Sequence, residues 1–310
     1  MGLIEMSASP IVQTVNLSKT YGAVHCVNKV DLLVQEGEIY GFLGPNGAGK
    51  TTTLKMLLGL MKPTEGTIRM FGQNLSKHRS AILKRTGSLI ESPSYYGHLT
   101  GLENMKIMQR LRDVPDANVN EALRIVRLEN HKNKKAEQYS LGMKQRLGIA
   151  MALVAFPKLL ILDEPTNGLD PAGIGEIREL IKSLPSRYGM TILLSSHLLS
   201  EIEQIATTVG IISEGKLTYQ GSMEKLKISS RTAICLKTGD NSKAERFLLT
   251  QGFSPLGSGD RLEFDLVDDV VVAEMNRMLV EHGIPVIRIE EQKKSLEDFF
   301  LERTGKGRSL

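Results

Sequence analysis

Residues Gly44 to Thr52 read Gly-Pro-Asn-Gly-Ala-Gly-Lys-Thr-Thr, which fits G-x-x-x-x-G-K-[ST] at Gly44, Gly49, Lys50 and Thr51. This stretch binds phosphate only when a strand leads into it and a helix leaves it, so it dictates the elements around it. Glu38–Leu43 reads as a short buried strand, and Thr52–Leu58 places Leu54, Leu57 and Leu58 on one helical face. Glycines let backbone N–H groups turn inward around an anion. The helix N-terminus adds unpaired donors and a positive dipole end. The loop residues Gly44, Pro45, Asn46, Gly47, Ala48, Gly49, Lys50, Thr51 and Thr52 are therefore the candidate nucleotide-binding set. Lys50 would reach the β- and γ-phosphates, and the Thr51 hydroxyl would hold Mg²⁺.

Bulk properties narrow the partners. The net charge of +4 is small, and the tail from Gly221 carries 14 Lys and Arg against 15 Asp and Glu. With no basic stripe, nucleic acid is not an expected partner. Cys26 and Cys235 lie far apart and in no ligand spacing, which argues against a disulfide framework or a zinc site. The first residues lack the basic and apolar regions of a signal peptide. The most apolar run, Leu147–Leu162, is broken by Pro157-Lys158 and falls short of the roughly 20 residues a spanning helix needs.

Residues 1–10 are expected to be disordered. Ile11–Ser18 and Ala23–Leu33 read as strands, joined by a loop, Ser18–Gly22, whose Tyr21 is a stacking platform for an adenine ring beside a phosphate loop. Thr67–Phe71 is a short strand, and Thr86–Glu91 a strand ending in a carboxylate. Residues 100–128 form an amphipathic helical block. Ser140 caps a long helix, in which Gly142 allows close backbone approach. Leu159–Leu162 is a buried parallel-type strand that ends in Asp163-Glu164. Two carboxylates at that position need a compensating cation or proton, and ligands of open α/β sheets bind at the carboxyl ends of the strands. Asp163 is the expected Mg²⁺ ligand. Glu164, pointing to the other side, is placed to take a proton from water. Asp170 sits near a helix N-cap, and His197 ends another buried strand, Thr191–Leu194, at the same sheet edge. Beyond Gly221 the elements run β-α-β-β-α-β, the ferredoxin-like order, with Phe253–Leu256 and Arg261–Leu266 as its middle strands and a last helix over 295–301.

Taken together, Tyr21, Gly44–Thr52, Glu91, Ser140–Gln145, Leu159–Glu164, Leu169-Asp170 and His197 resemble, over about residues 11–220, the ATP-binding subunit of an ABC transporter. The resemblance implies an α/β P-loop ATPase domain over 11–220, with a mixed core sheet, an antiparallel β subdomain and a helical subdomain at about 92–145. A small α+β domain would follow at 221–310. It also implies ATP and Mg²⁺ as ligands, with Glu164 as catalytic base and His197 as switch histidine. Ser140 and Gly142 would bind the γ-phosphate held by Gly47, Lys50 and Thr51 of a second ATPase subunit, and Asp170 would lie in the loop that crosses the dimer interface. That second subunit is expected to be another copy. Integral membrane permease subunits would hold the pair, as a peripheral protein, at the cytoplasmic face of the cell membrane.

One departure is informative. Glu91 stands where such chains carry glutamine between Mg²⁺ and the membrane subunits. Together with the tail Ser295-Leu-Glu-Asp-Phe-Phe-Leu-Glu-Arg-Thr-Gly305, it is similar to the subgroup of exporters that confers bacitracin resistance or lantibiotic immunity. An anion there adds a charged metal ligand. Other drug or lipid cargoes, or antibiotic sensing, keep the same ATPase and stay open, because cargo is chosen by the membrane partner. A soluble ATPase acting on ribosomes or DNA is opposed by the single phosphate loop and the lack of heptads or zinc spacing.

Overall fold

The structure, a computed structural model, describes residues 10–229, 232–256, 259–264, 268–293, 296 and 300. It divides into two compact units, the first ending at Met223 and the second beginning at Glu224.

The first unit opens with β1 (Pro10–Tyr21), β2 (Val24–Val30) and β3 (Leu33–Gln35). Three expectations change here. Pro10, assigned by sequence to a disordered terminus, starts β1 and pairs with Gln35. β1 continues through the expected loop to Tyr21, because the turn is only Gly22-Ala23. Thr20 faces His25, Tyr21 faces Val24, and Gly22 takes φ +57. That positive φ is what a two-residue hairpin demands. The predicted strand Ala23–Leu33 is broken at Asp31-Leu32. There the Thr14 hydroxyl donates to the Val30 carbonyl (2.7 Å) and accepts the Leu32 N–H (2.7 Å), standing in for a ladder bond.

Next come β4 (Ile39–Leu43), α1 (Lys50–Leu57), β5 (Glu65–Met70), β6 (Gln73–Asn74), α2 (Leu75–Lys84) and β7 (Thr86–Leu89). The sequence left α2 unassigned, since it buries only Leu75 and Ile82 and shows little apolar period. The expected helical block over 100–128 is two helices, α3 (Gly101–Arg112) and α4 (Asp116–Ile125). Asp113 at φ +52 ends the first, and Pro115 caps the second, where a missing N–H costs nothing. The rest of the unit is α5 (Leu141–Leu153), β8 (Leu159–Asp163), α6 (Pro171–Tyr188), β9 (Thr191–Ser196), α7 (Leu199–Ile205), β10 (Thr208–Ser213) and β11 (Lys216–Ser222).

β1, β2, β3, β5 and β6 form an antiparallel sheet. The second sheet has the order β11-β10-β4-β9-β8-β7, parallel throughout except for the terminal β10–β11 hairpin. Every residue of β4, β8 and β9 is buried, which is why these strands read as unbroken apolar runs rather than alternating ones. Register decides where the site lies. Leu43 pairs with Ser196, and Asp163 with Ser195, so the ends of β4, β8 and β9 stand level at one sheet edge.

The chain continues through α8 (Met223–Ser229) into β12 (Thr232–Thr238), α9 (Asn241–Thr250), β13 (Leu262–Phe264), α10 (Asp269–Glu281) and β14 (Val286–Lys293). The sheet order is β13-β12-β14, with both pairings antiparallel. The predicted strand Phe253–Leu256 does not form. Pro255 removes a ladder donor, and among the described residues the segment reaches β13 through Leu256 N–H to the Glu263 carbonyl (2.7 Å). Most of the predicted final helix lies outside the described residues. This unit has its own core of Ile234, Leu236, Leu248, Leu262, Phe264, Met275 and Leu279. Leu236 is fully buried on the central strand, between Leu262 and Ile289. Leu236→Ala is expected to cost about 2–5 kcal/mol. Amide hydrogen exchange should speed up in β12 and stay slow in β8; unchanged exchange in β12 would refute this.

Candidate functional site

The connection from β4 to α1 is built on glycines for two separate reasons. Gly49, the N-cap of α1, takes φ +105, and a Cβ there would strike the Cys26 carbonyl. Gly47, at φ +80, has open space around a would-be Cβ. The loop is thus closed behind and open in front, a cradle that fits an anion approaching the first turn of α1. Ala48 N–H closes the turn on the Pro45 carbonyl (3.1 Å), and Gly44 N–H reaches the Ser196 carbonyl (3.3 Å) at the end of β9.

Lys50 is buried, 5% exposed, and its Nζ gathers three oxygens: the Gly44 carbonyl (2.8 Å), the Pro45 carbonyl (3.2 Å) and Glu164 Oε1 (3.2 Å). The neighbouring Thr51 hydroxyl donates to Asp163 Oδ2 (2.8 Å). The other Asp163 oxygen accepts from the Ser195 hydroxyl (2.6 Å), which in turn accepts the Glu164 N–H (2.9 Å). Thr51 and Asp163 form a side-by-side pair of hard oxygen donors, which suits Mg²⁺ completed by substrate phosphate and water. Among the described residues no group of three or more His, Cys, Asp or Glu could hold a metal. This pair does not depend on one.

The two carboxylates take different partners on the first turn of α1: Asp163 meets Thr51, and Glu164, at φ +46 just past the end of β8, meets Lys50. Its second oxygen meets His197 Nδ1 at 2.6 Å. Glu164 therefore sits between a lysine and an imidazole, with 19% of its side chain exposed to the cleft. A carboxylate so held can accept a proton from a water in the cleft.

A cleft of about 450 Å³ is lined by Asn46, Thr51, Glu91, Leu141, Asp163 and Glu164. Glu91 lies past the end of β7 at φ +62, and its Oε1 contacts Lys55 Nζ on α1 at 2.6 Å. The sequence did not single out Lys55; its place one turn after Thr51 is the signal that could have found it. Thr166, Ser195 and Glu201 were missed as well, because their bonds join segments 31–35 residues apart.

Tyr21 is half-exposed at the end of β1, its hydroxyl donating to Met61 Sδ (3.0 Å) and its ring 4.9 Å from Lys19 Nζ. Ser140 caps α5 through the Met143 N–H (3.3 Å), and Asp170 caps α6 through the Gly173 N–H (2.8 Å). Among the described residues, neither bonds to the phosphate loop of its own chain. Gly142 has space: the nearest atom to a would-be Cβ is Leu169 Cδ2, at 4.0 Å.

The ABC transporter family profile matches residues 27–167. The bacitracin transport ATP-binding protein BcrA of Bacillus licheniformis is 44% identical over 309 residues, spanning 96% of this chain and 99% of that protein. The lantibiotic transport ATP-binding protein SrtF of Streptococcus pyogenes is 46% identical over 211 residues, 67% of this chain and 90% of that protein. Among solved structures, a dimeric ATP-binding cassette in a post-hydrolysis state with ADP and phosphate bound is 26% identical. It superposes with a TM-score of 0.62 over 68% of this chain and 98% of that one.

Proposed function

This chain belongs to the ABC transporter ATP-binding family, and we propose that it is the ATP-hydrolysing subunit of an exporter that removes a peptide antibiotic of the bacitracin type. The observation that carries the cargo is extent of likeness. Similarity to BcrA runs through 96% of the chain, including the second unit, whereas similarity to SrtF covers 67%. A lantibiotic is the second reading, favoured by the slightly higher identity over that shorter span.

In this reading two copies of the chain face each other. Ser140 and Gly142 of one copy meet the γ-phosphate cradled by Gly47, Lys50 and Thr51 of the other. This sets an anion against the N-terminal first turn of α5, beside its Ser140 cap. Tyr21 stacks on the adenine, and Asp170 lies at the interface between copies. Thr51 and Asp163, with Glu91 at the rim, would hold Mg²⁺, whose positive charge would offset that of the phosphates. Glu164 orients a water and takes its proton. His197 holds the Glu164 carboxylate and stands ready for the γ-phosphate, and Lys50 offsets the charge that develops there. Membrane permease subunits hold the pair at the cytoplasmic face. No helix among the described residues is long and apolar enough to cross a membrane.

The test is to express the chain with its genomic neighbours in a Gram-positive host. A multi-span membrane protein should co-purify, and bacitracin tolerance should rise. Ribosomal proteins without a membrane partner, or a lantibiotic-only phenotype, would overturn the reading in whole or in cargo.

Glu91 supplies a sharper check on the metal. Glu91→Gln should raise the Mg²⁺ concentration for half-maximal hydrolysis by about three- to tenfold, since a charged ligand becomes neutral, while ATP affinity changes less than twofold. An unchanged Mg²⁺ titration would remove Glu91 from the metal site.

A further inference from the structure

Past the last β8–β9 ladder pair, Asp163 with Ser195, the two strands release the segments that carry Glu164 and His197. Each segment then makes one buried bond to the same atom. Glu201 on α7 is 8% exposed, and its Oε2 accepts the Thr166 hydroxyl (2.7 Å) and the Ser196 hydroxyl (2.9 Å). Thr166 lies two residues after Glu164, and Ser196 directly precedes His197. Thr166 is 4% and Ser196 2% exposed, so water does not compete for either bond. The Ser196 hydroxyl also accepts the Leu198 N–H (3.0 Å), which fixes the backbone on the far side of His197.

We propose that Glu201 is a positioning residue for hydrolysis, a buried bridge that holds the Glu164 and His197 segments in mutual register through Thr166 and Ser196. The inference rests on the roles proposed above for Glu164 and His197. One oxygen receives both hydroxyls, so the bridge needs a doubly accepting oxygen rather than a negative charge. A carboxamide oxygen has the two lone pairs required, and a hydrocarbon has none.

The test measures steady-state ATP hydrolysis by the full-length chain and its Glu201→Leu, Glu201→Gln, Thr166→Val, Ser196→Ala and Glu164→Gln variants. Glu201→Leu should lower kcat by about 10- to 100-fold, the scale of a small misplacement of reacting groups, while KM for ATP stays within about twofold. Thr166→Val and Ser196→Ala should each lower kcat, also at constant KM. Glu201→Gln should recover most of the loss. Equal impairment of the Gln and Leu variants, a rise in KM alongside the fall in kcat, or an unaffected Leu variant would overturn the bridge. Should Glu201→Leu fail to fold, the near-isosteric hydroxyl variants decide, and normal kcat in both overturns it. Normal hydrolysis by Glu164→Gln would instead remove the reading on which the bridge rests. An inactive Glu164→Gln beside a fully active Glu201→Leu would sink the bridge alone.

Discussion

Glu164→Gln is expected to lower kcat for ATP hydrolysis by about 10²- to 10⁴-fold, the usual contribution of a positioned general base. The substitution is nearly isosteric, so the site should keep its shape. The amide can still sit 3.2 Å from Lys50 and beside His197, but it cannot accept a proton from water. ATP binding should persist or tighten, because the carboxylate that repels the γ-phosphate is gone. The variant should accumulate as an ATP-loaded dimer. Size-exclusion chromatography with and without Mg²⁺-ATP would reveal it, and single-turnover assays would locate the loss in the chemical step. Normal turnover would mean that another group activates the water.

Lys50→Met is expected to act on binding instead. Its Nζ is an internal staple as well as a charge, joined to the Gly44 and Pro45 carbonyls and to Glu164. Losing a charge-assisted contact to phosphate removes about 1.5–3 kcal/mol, and two such contacts correspond to at least 100-fold in ATP affinity. The variant should also unfold more easily. Removing one partner of a buried pair leaves the other uncompensated, at a cost of up to about 3–5 kcal/mol. Glu164 keeps His197 and 19% exposure of its side chain, so the lower end of that range is expected. Calorimetric titration with ATP and thermal unfolding without it separate the two effects. Retained nucleotide affinity would remove Lys50 from the phosphate site.

Much of this molecule was legible because its site is built from local patterns. Strand, glycine loop and helix are contiguous in sequence, so Gly47, Gly49, Lys50 and Thr51 could be placed before any contact was known. Ser140 and Asp170 were legible for the same reason: an N-cap bonds to an N–H three residues on. The buried strands β4, β8 and β9 announced themselves as apolar runs. The helices α2 and α7 did not; α2 buries too little, and α7 is too short for a period to emerge. In the second unit the strand pattern over Phe253–Leu256 misled, since a single proline outweighed the surrounding apolar residues.

What the sequence determined by itself was chemical identity: which residue types stand at the ends of which strands, and hence the expectation that a phosphate, a divalent cation and a carboxylate able to take a proton belong together. The tertiary structure alone decided how those groups meet. Parallel register brought the ends of β4, β8 and β9 level, and Glu164, at φ +46 past the end of β8, came to lie between Lys50 and His197. Burial set Glu201 beneath both loops. Those outcomes depend on pairing between segments tens of residues apart. There the local preferences of the chain no longer constrain direction, and only packing into one sheet supplies the missing coordinate.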